Sequence, residues 1–523
     1  MNLLKLVRMM VLVSALGLGA CATRAQDADQ ITHLKVQLER MQENFDRVVR
    51  EQQAQIEELK KQIAGMQPGA SNSATVAALP TAPPTGPTPS APAETVTKPW
   101  SPTDPIRIGK GGVYADIGLV ATFAAGSSTE NDIEGGTQIG GHDPNQRGFT
   151  VQGVELNLQG AVDPYFRGNA NILFSIDSGG ESFVELEEAW METVSLPGNL
   201  QIRAGQYLTD FGRINTQHPH AWAFVDSPLV AARFLGPDGL RNPGARVAWL
   251  MPLPFFSELS FGVQNSQGET AASFRSGGHS HGGEESEQGV PFGYRHADND
   301  RGVKGLADML FSPRLATSFD LTDAQTLLLG ASTAFGANNS GASGDTFTQI
   351  YGVDVYWKWK PANAHGGFPF VSWQTEAMLR RYDLGRFNWD ENADGLVDNG
   401  EVVNPATDLP AVLSSETVTD WGFYSQLLYG FRKGWVAGLR LDYVTGETGD
   451  YERLGLTLDG EPLGPDPLRN ERWRLSPNLT WYPSEFSKVR LQYNYDDRRD
   501  IGCDHSVWLQ FEFLLGAHAV HKF

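Results

Sequence analysis

From Ile106 onward, hydrophobic positions recur at every second residue, the period of a strand whose two faces meet different surroundings. Over Thr150 to Val162, Val154, Leu156, Leu158 and Val162 share one face, and Glu155, Asn157 and Gln159 the other. After the turn Asp163-Pro164, the face of Phe166, Ala170, Ile172, Phe174 and Ile176 opposes that of Arg167, Asn169, Asn171, Ser175 and Asp177. The same alternation sets Tyr351, Val353, Val355, Trp357 and Trp359 against Asp354, Lys358 and Lys360. It also sets Val489, Leu491, Tyr493 and Tyr495 against Arg490, Gln492, Asn494 and Asp496. The apolar face is rich in aromatics and the polar face is often charged. Tight turns (Asp163-Pro164, Arg432-Lys433-Gly434, Pro483-Ser484-Glu485) alternate with long polar loops (Ser127 to Arg147, Gly268 to Arg301, Asn388 to Thr417). This pattern predicts an all-β transmembrane barrel over 106–523, with short turns on the periplasmic side and long loops outside. Strands of about 10 residues allow about 16–18 antiparallel strands there, and such a barrel is wide enough for an aqueous lumen.

The last strand places Val507, Leu509, Phe511, Phe513 and Leu515 on one face, and the sequence reaches Phe523. A C-terminal aromatic on an alternating segment suits recognition by the outer-membrane assembly machinery, although His521 stands where an apolar residue is usual.

Ahead of the barrel the period changes. Ile31, Leu34, Leu38, Met41, Phe45 and Val48 are spaced by three and four, and the seam resumes at Val49, Ile56, Leu59, Ile63 and Met66. This predicts an α-helical coiled coil over 26–67 with one discontinuity. Residues 68–105 are dense in Pro, Ala, Thr and Ser and read as an extended linker. Residues 1–25 read as an export signal: Lys5 and Arg8 precede an apolar stretch from Met9 to Ala20 that is too short to span as a helix. Ordinary cleavage near Ala25 is favoured over a lipobox at Leu18-Gly19-Ala20-Cys21, because a barrel anchors itself. The coiled coil is then expected in the periplasm of a Gram-negative bacterium, with the barrel as a homotrimer in outer-membrane lipid.

Composition narrows the function. The net charge of -21 leaves no broad basic face, so a nucleic-acid partner is not expected. Mean hydropathy is -0.31, unlike a helical membrane protein. The acidic excess, set against the lumen-facing Arg167, Lys358, Lys360 and Arg490, predicts ion selectivity that is weak or favours cations. With only Cys21 and Cys503, a structural disulfide is not expected.

Arg203-Ala204-Gly205-Gln206-Tyr207, followed by Asp210-Phe211-Gly212-Arg213, resembles a motif of the phosphate-selective porin O and P family. The stretch from Trp508 through Gly516-Ala517-His518 to His521-Lys522-Phe523 resembles a porin-like subgroup, some members of which are called zinc-regulated outer-membrane receptors. The resemblance spans roughly 106–523. It implies a passive porin in which a loop after the Gly-Gln strand folds toward the pore, and in which trimers assemble. The stretch before Ile106 contains no plug domain, which speaks against an energy-coupled receptor. The strong acidity puts phosphate selectivity in doubt.

Candidate chemistry is confined to metals. Asp390, Asn392, Asp394, Leu396, Asp398 and Glu401 fall at positions 1, 3, 5, 7, 9 and 12 of a calcium loop, with Gly395 at the sharp turn. This predicts an isolated structural Ca²⁺ site. His279 and His281, in a Gly-rich loop with Glu284, Glu285 and Glu287, are candidate Zn²⁺ ligands. His218, His220 and Asp226 form a second candidate cluster, and Cys503-Asp504-His505 a weaker one. Glu185, Glu187 and Glu188 read as lumen charges or as a charged turn, while Arg380 and Arg381 cannot both face inward. Gly278-His279-Ser280-His281-Gly282 matches a nucleophile elbow in letters only, because no strand-to-helix turn strains the serine. No catalytic set appears. The expected function is passive diffusion of small hydrophilic solutes or ions, with a zinc-linked uptake channel and a tether to the cell wall as alternatives.

Overall fold

The structure, a computed structural model, describes residues 106–516 apart from 111, 112, 162, 277–290, 299 and 343. The export signal, coiled coil and linker expected over 1–105, and the His279 and His281 pair, lie outside the described residues.

A short strand β1 (Ile106–Lys110) precedes the barrel. The barrel strands are β2 (Val113–Ser128), β3 (Gly148–Ala161), β4 (Phe166–Ile176), β5 (Ser182–Thr193), β6 (Leu200–Leu208), β7 (Arg241–Leu250), β8 (Phe256–Asn265) and β9 (Met309–Thr322). They continue as β10 (Gln325–Ala337), β11 (Phe347–Trp359), β12 (Phe370–Leu384), β13 (Glu416–Arg432), β14 (Trp435–Gly446), β15 (Arg472–Ser484), β16 (Ser487–Arg498) and β17 (Gly502–Gly516). Each pairs antiparallel with its neighbour, and β2 closes the ring on β17, with Gly118 opposite Gly516 and Ser128 opposite Ser506. Sixteen strands therefore form a closed barrel, the lower end of the expected range. β1 pairs with the first residues of β2, from Ile106 opposite Ile117 to Lys110 opposite Val113, and so extends the line that β17 leaves.

The barrel is inverted relative to a water-soluble protein. Along β17, Phe513 is 48% exposed while Trp508 is fully buried and Glu512 is 4% exposed. Outward aromatics gather near both rims: Trp435 on Trp481 and Phe255 on Phe319 near the short turns, Trp421 on Tyr443 and Trp473 on Tyr495 near the long loops. An apolar outer band between two aromatic girdles is the surface that a bilayer requires. A closed ring also leaves no unpaired backbone in lipid.

The core sits inside the barrel and above it. The connection 209–240, between β6 and β7, enters the lumen. The long connections 385–415 and 447–471 fold onto each other outside, where Val402–Asn404 pairs with Thr457–Leu458. Tyr294, Tyr382, Trp389, Leu413 and Tyr451 are buried there as one cluster. This cap has no counterpart in the hydrophobic periodicity, which treats these stretches only as polar loops.

Candidate functional site, a strap across the lumen

Residues 209–240 form a strap that crosses the barrel. Turn residues shape it: Gly212 adopts φ 58°, and Pro228 precedes the α-helix α1 (Leu229–Leu235), about two turns long. Proline suits that place because its missing N–H would be unpaired at a helix start. Gly236, with φ 105°, ends the helix.

One side of the strap is apolar. Phe211, Ile214, Leu229, Val230, Phe234 and Leu235 pack on inward-facing Leu310, Ala334, Ile350, Met378, Tyr424 and Val444 of the wall. At Gly352 of β11, a Cβ would come 2.7 Å from the Phe211 ring. The wall residue is therefore small where the ring seats.

The other side is held by buried polar contacts. The Asp226 carboxylate is fully buried and accepts from Arg440 Nη2 (2.7 Å), Arg474 Nη1 (3.0 Å), Gln492 Nε2 (2.8 Å) and Asn494 Nδ2 (2.8 Å). Burial works against the Asp226 charge, but the Arg440 and Arg474 guanidinium groups outweigh it and hold the carboxyl below its usual range. Leu229 N donates to Asp442 Oδ1 (3.1 Å), Val225 N to Gln492 Oε1 (2.8 Å) and Ser227 N to Asp143 Oδ1 (2.7 Å). On β10 and β12, Arg213 N and Ile214 N donate to Glu376 (3.0 and 2.7 Å), and Gly212 N to Ser332 Oγ (3.1 Å). Burial, and then the Asp226 charge, push the Asp143 carboxyl up to about 7.

At the strap's third corner lies a buried group of histidines and carboxylates. A β-bulge in β5 pairs Asn171 with Glu188 and Ile172 with Leu186, so Glu187 and Glu188 both turn inward. His218 Nδ1 is 3.2 Å from Glu187 Oε2 and 3.8 Å from Glu155 Oε2, and its Nε2 is 3.1 Å from Glu188 Oε2. His220 Nδ1 lies 2.9 Å from Glu155 Oε2, and His142 Nε2 lies 3.4 Å from Glu187 Oε1. Burial opposes a charged His142, but Glu187 overrides it and brings the imidazole up to about 9.

The sequence-predicted residues divide accordingly. His218 and His220 come together, stacked with ring centres 5.8 Å apart. Asp226 does not join them, because it is pinned by arginines of β14 and β15. Glu185, Glu187 and Glu188 are lumen charges, with Glu185 paired to Arg241. Cys503, Asp504 and His505 cannot form a site. Asp504 faces inward, with Ser128 and Thr129, whereas Cys503 and His505 face outward and contact Tyr495 and Tyr493. Arg380 points inward to Asp420 and Arg381 is exposed, as expected. Of the four lumen cations, Arg167 is paired with Glu192, and Arg490 is spent on the strap carbonyls of Trp222 and Phe224. The 390–401 loop is exposed and wound on its own carboxylates. Asp390 accepts from the backbone of Asp394 and Gly395, Asp394 from Leu396, and Glu401 from Asp398.

Two cavities beside the strap are lined by Arg213. One cavity of about 300 Å³ is lined by Arg203, Asp210, Arg213, Arg246, Glu258 and Arg314. A second, of about 330 Å³, includes Arg213, His220, Tyr356, Lys358, Gln374 and Lys488. Among the described residues, neither Arg213 nor Lys358 is paired with a carboxylate. Arg213 donates to Gln374 Oε1 (3.0 Å) and stacks 4.1 Å from the centre of Tyr356.

No family model matches the chain. Over 403 residues it is 30% identical to a protein of Aquifex aeolicus (strain VF5) described as uncharacterized, covering 73% of each. The chain belongs to that protein's family. Solved structures with a similar barrel include the outer membrane channel DcaP of Acinetobacter baumannii (12% identity, TM-score 0.46, covering 78% of this chain and 99% of that one). They also include an anion-selective porin from Comamonas acidovorans (7% identity, TM-score 0.44, covering 77% and 100%) and OprB of Pseudomonas putida (12% identity, TM-score 0.41, covering 77% and 94%). These likenesses concern the barrel alone.

Proposed function

We propose that the chain is an outer-membrane porin through which small hydrophilic solutes diffuse passively past the strap. The observation that carries this reading is a closed 16-stranded barrel with an apolar outer band, a polar lumen and polar cavities beside an inserted loop. The strap narrows the lumen as a constriction does, and its anchoring on several walls makes it a fixed part of the channel rather than a swinging plug.

The cavities have a charge sign. Arg203, Arg246, Arg314 and Lys488 are paired with Glu192, with Asp210 and Glu258, with Asp354 and with Glu512, which leaves Arg213 and Lys358 as the lining cations without a carboxylate partner among the described residues. The acidic excess of the chain therefore lies elsewhere, and the constriction favours anions, in place of the weak or cation-favouring selectivity expected from composition. Phosphate, the solute of the family that the Gly-Gln and Phe-Gly motifs resemble, is one member of that class. Assembly as a trimer and a Ca²⁺ ion in the 390–401 loop belong to the same proposal. The loop's spacing supports the ion.

The test is conductance of the purified, folded protein in planar bilayers, with reversal potentials in a KCl gradient. Discrete steps with chloride preference are expected. Silent bilayers would replace the porin with a tether, and cation preference would remove the role given to Arg213 and Lys358.

A further inference from the structure

The group formed by Glu155, Glu187 and His218, joined by ion pairs, also has the donor types and spacing that a metal ion requires. The three ligand atoms lie within 4.8 Å of one another. A tetrahedral ion about 2.1 Å from each ligand sets neighbouring ligand atoms about 3.4 Å apart. The distances from His218 Nδ1 to Glu187 Oε2 and Glu155 Oε2, 3.2 and 3.8 Å, bracket that value.

Each of the three residues also has an outer partner that fixes it. Glu188 Oε2 sits 3.1 Å from His218 Nε2, the nitrogen that would face away from the ion. His220 Nδ1 reaches both Glu155 oxygens, Oε1 at 3.0 Å and Oε2 at 2.9 Å. His142 Nε2 and Arg241 Nη1 approach Glu187 Oε1 at 3.4 and 3.6 Å. A carboxylate behind a ligating imidazole is the usual outer shell of a metal site, because it sets the tautomer and the ring orientation.

A second observation concerns burial and space at the same group. Glu187 is 2% exposed, and its Oε2 faces His218 Nδ1 at 3.2 Å without well-formed hydrogen-bond geometry. A buried carboxylate oxygen without a hydrogen bond is costly unless a cation takes it up. A cavity of about 30 Å³ opens beside it, lined by His142, Glu187, His218 and Asp238 among others. That is room for about one water, enough for a fourth ligand.

We propose that Glu155, Glu187 and His218 hold one divalent transition-metal ion of the zinc class and so clamp the strap to β3 and β5. Mixed imidazole and carboxylate donors suit that class better than calcium or magnesium. The two wall ligands come from β3 and the β5 bulge and the third from the strap, so binding the ion stabilises the crossed state of the lumen. This site is separate from the 390–401 loop and from His279 and His281, and it does not depend on whether the barrel conducts.

The experiment uses the full chain, folded in detergent, stripped with a chelator and titrated with ZnCl₂ by calorimetry and metal analysis. Co²⁺ serves as a spectroscopic substitute. One tight equivalent is expected, with a tetrahedral Co²⁺ spectrum, retained in His279→Ala/His281→Ala and in Asp390→Asn/Glu401→Gln. It should be lost in Glu187→Gln and in Glu155→Gln. Glu188→Gln, which keeps all three ligands, should weaken binding about 10–100-fold. It carries the test if the ligand variants fail to fold. Wild-type affinity in Glu187→Gln or Glu188→Gln, loss of binding only in the His279 and His281 variant, or no zinc uptake by folded wild type would each overturn the site.

Discussion

Removing the Asp226 carboxylate should release the strap from one wall while leaving the barrel closed. Two wall arginines share the Asp226 side chain of the strap, and its carboxylate takes four side-chain hydrogen bonds from β14, β15 and β16. Breaking a buried ion pair by deleting one partner costs about 3–5 kcal/mol, because the other charge is left uncompensated. Here Arg440 keeps Asp442 at 2.7 Å and Arg474 keeps Asp496 at 2.7 Å, which places Asp226→Ala near the lower end, about 3 kcal/mol. That is roughly a hundredfold in the population of a released strap. The assay is hydrogen exchange at Val225, Ser227 and Leu229, whose N–H groups donate to Gln492, Asp143 and Asp442. Protection there should fall about a hundredfold in Asp226→Ala, with β-strand amides unchanged. Asp226→Asn, which still accepts from one arginine, should show a smaller loss. Unchanged strap exchange in a folded Asp226→Ala barrel would refute the anchoring role.

Other perturbations probe the same structure. Phe234→Ala, which empties a fully buried ring site in α1, should lower stability to denaturant by about 3–5 kcal/mol if the strap unfolds with the barrel. Asp143, with its carboxyl at about 7, has a folded value above the unfolded one. Its contribution therefore falls as pH rises from about 4 through about 7, and is flat beyond that. Wild type should gain stability from pH 8 to pH 5 by more than Asp143→Asn does, and equal gains would remove Asp143 as the titrating group. Calorimetric titration should show one weak Ca²⁺ site, with Kd on the order of 10⁻⁴ to 10⁻³ M, that Asp390→Ala/Glu401→Ala abolishes. Equal uptake by the double variant would make the loop's spacing a coincidence.

The barrel was legible because period-two alternation is a local property, carried by runs such as Val507 to Leu515. Parity alone also separates Arg380 from Arg381, and applied to Cys503, Asp504 and His505 it would have dissolved that cluster at once. The strap's anchors were not legible. Asp226 meets Arg440 and Arg474 across more than 200 residues, and nothing local distinguishes it from the adjacent histidines. Glu188 turns inward only because a bulge breaks the alternation in β5, which periodicity cannot announce. One signal was available: Arg440, Arg472, Arg474 and Arg490 share the inward parity of their strands, and so many buried cations demand carboxylates from elsewhere. The Gly-Gln and Phe-Gly resemblance placed the inward loop correctly, since 209–240 follows β6.

The most direct test is single-channel conductance of the wild-type barrel beside a variant in which 214–238 is replaced by a short Gly-Ser linker. If the strap is the constriction, wild type should give small discrete steps with chloride preference. The variant should then give steps several-fold larger with that preference weakened. Equal conductance in the two barrels, with both shown to be folded, would contradict a pore narrowed by the strap.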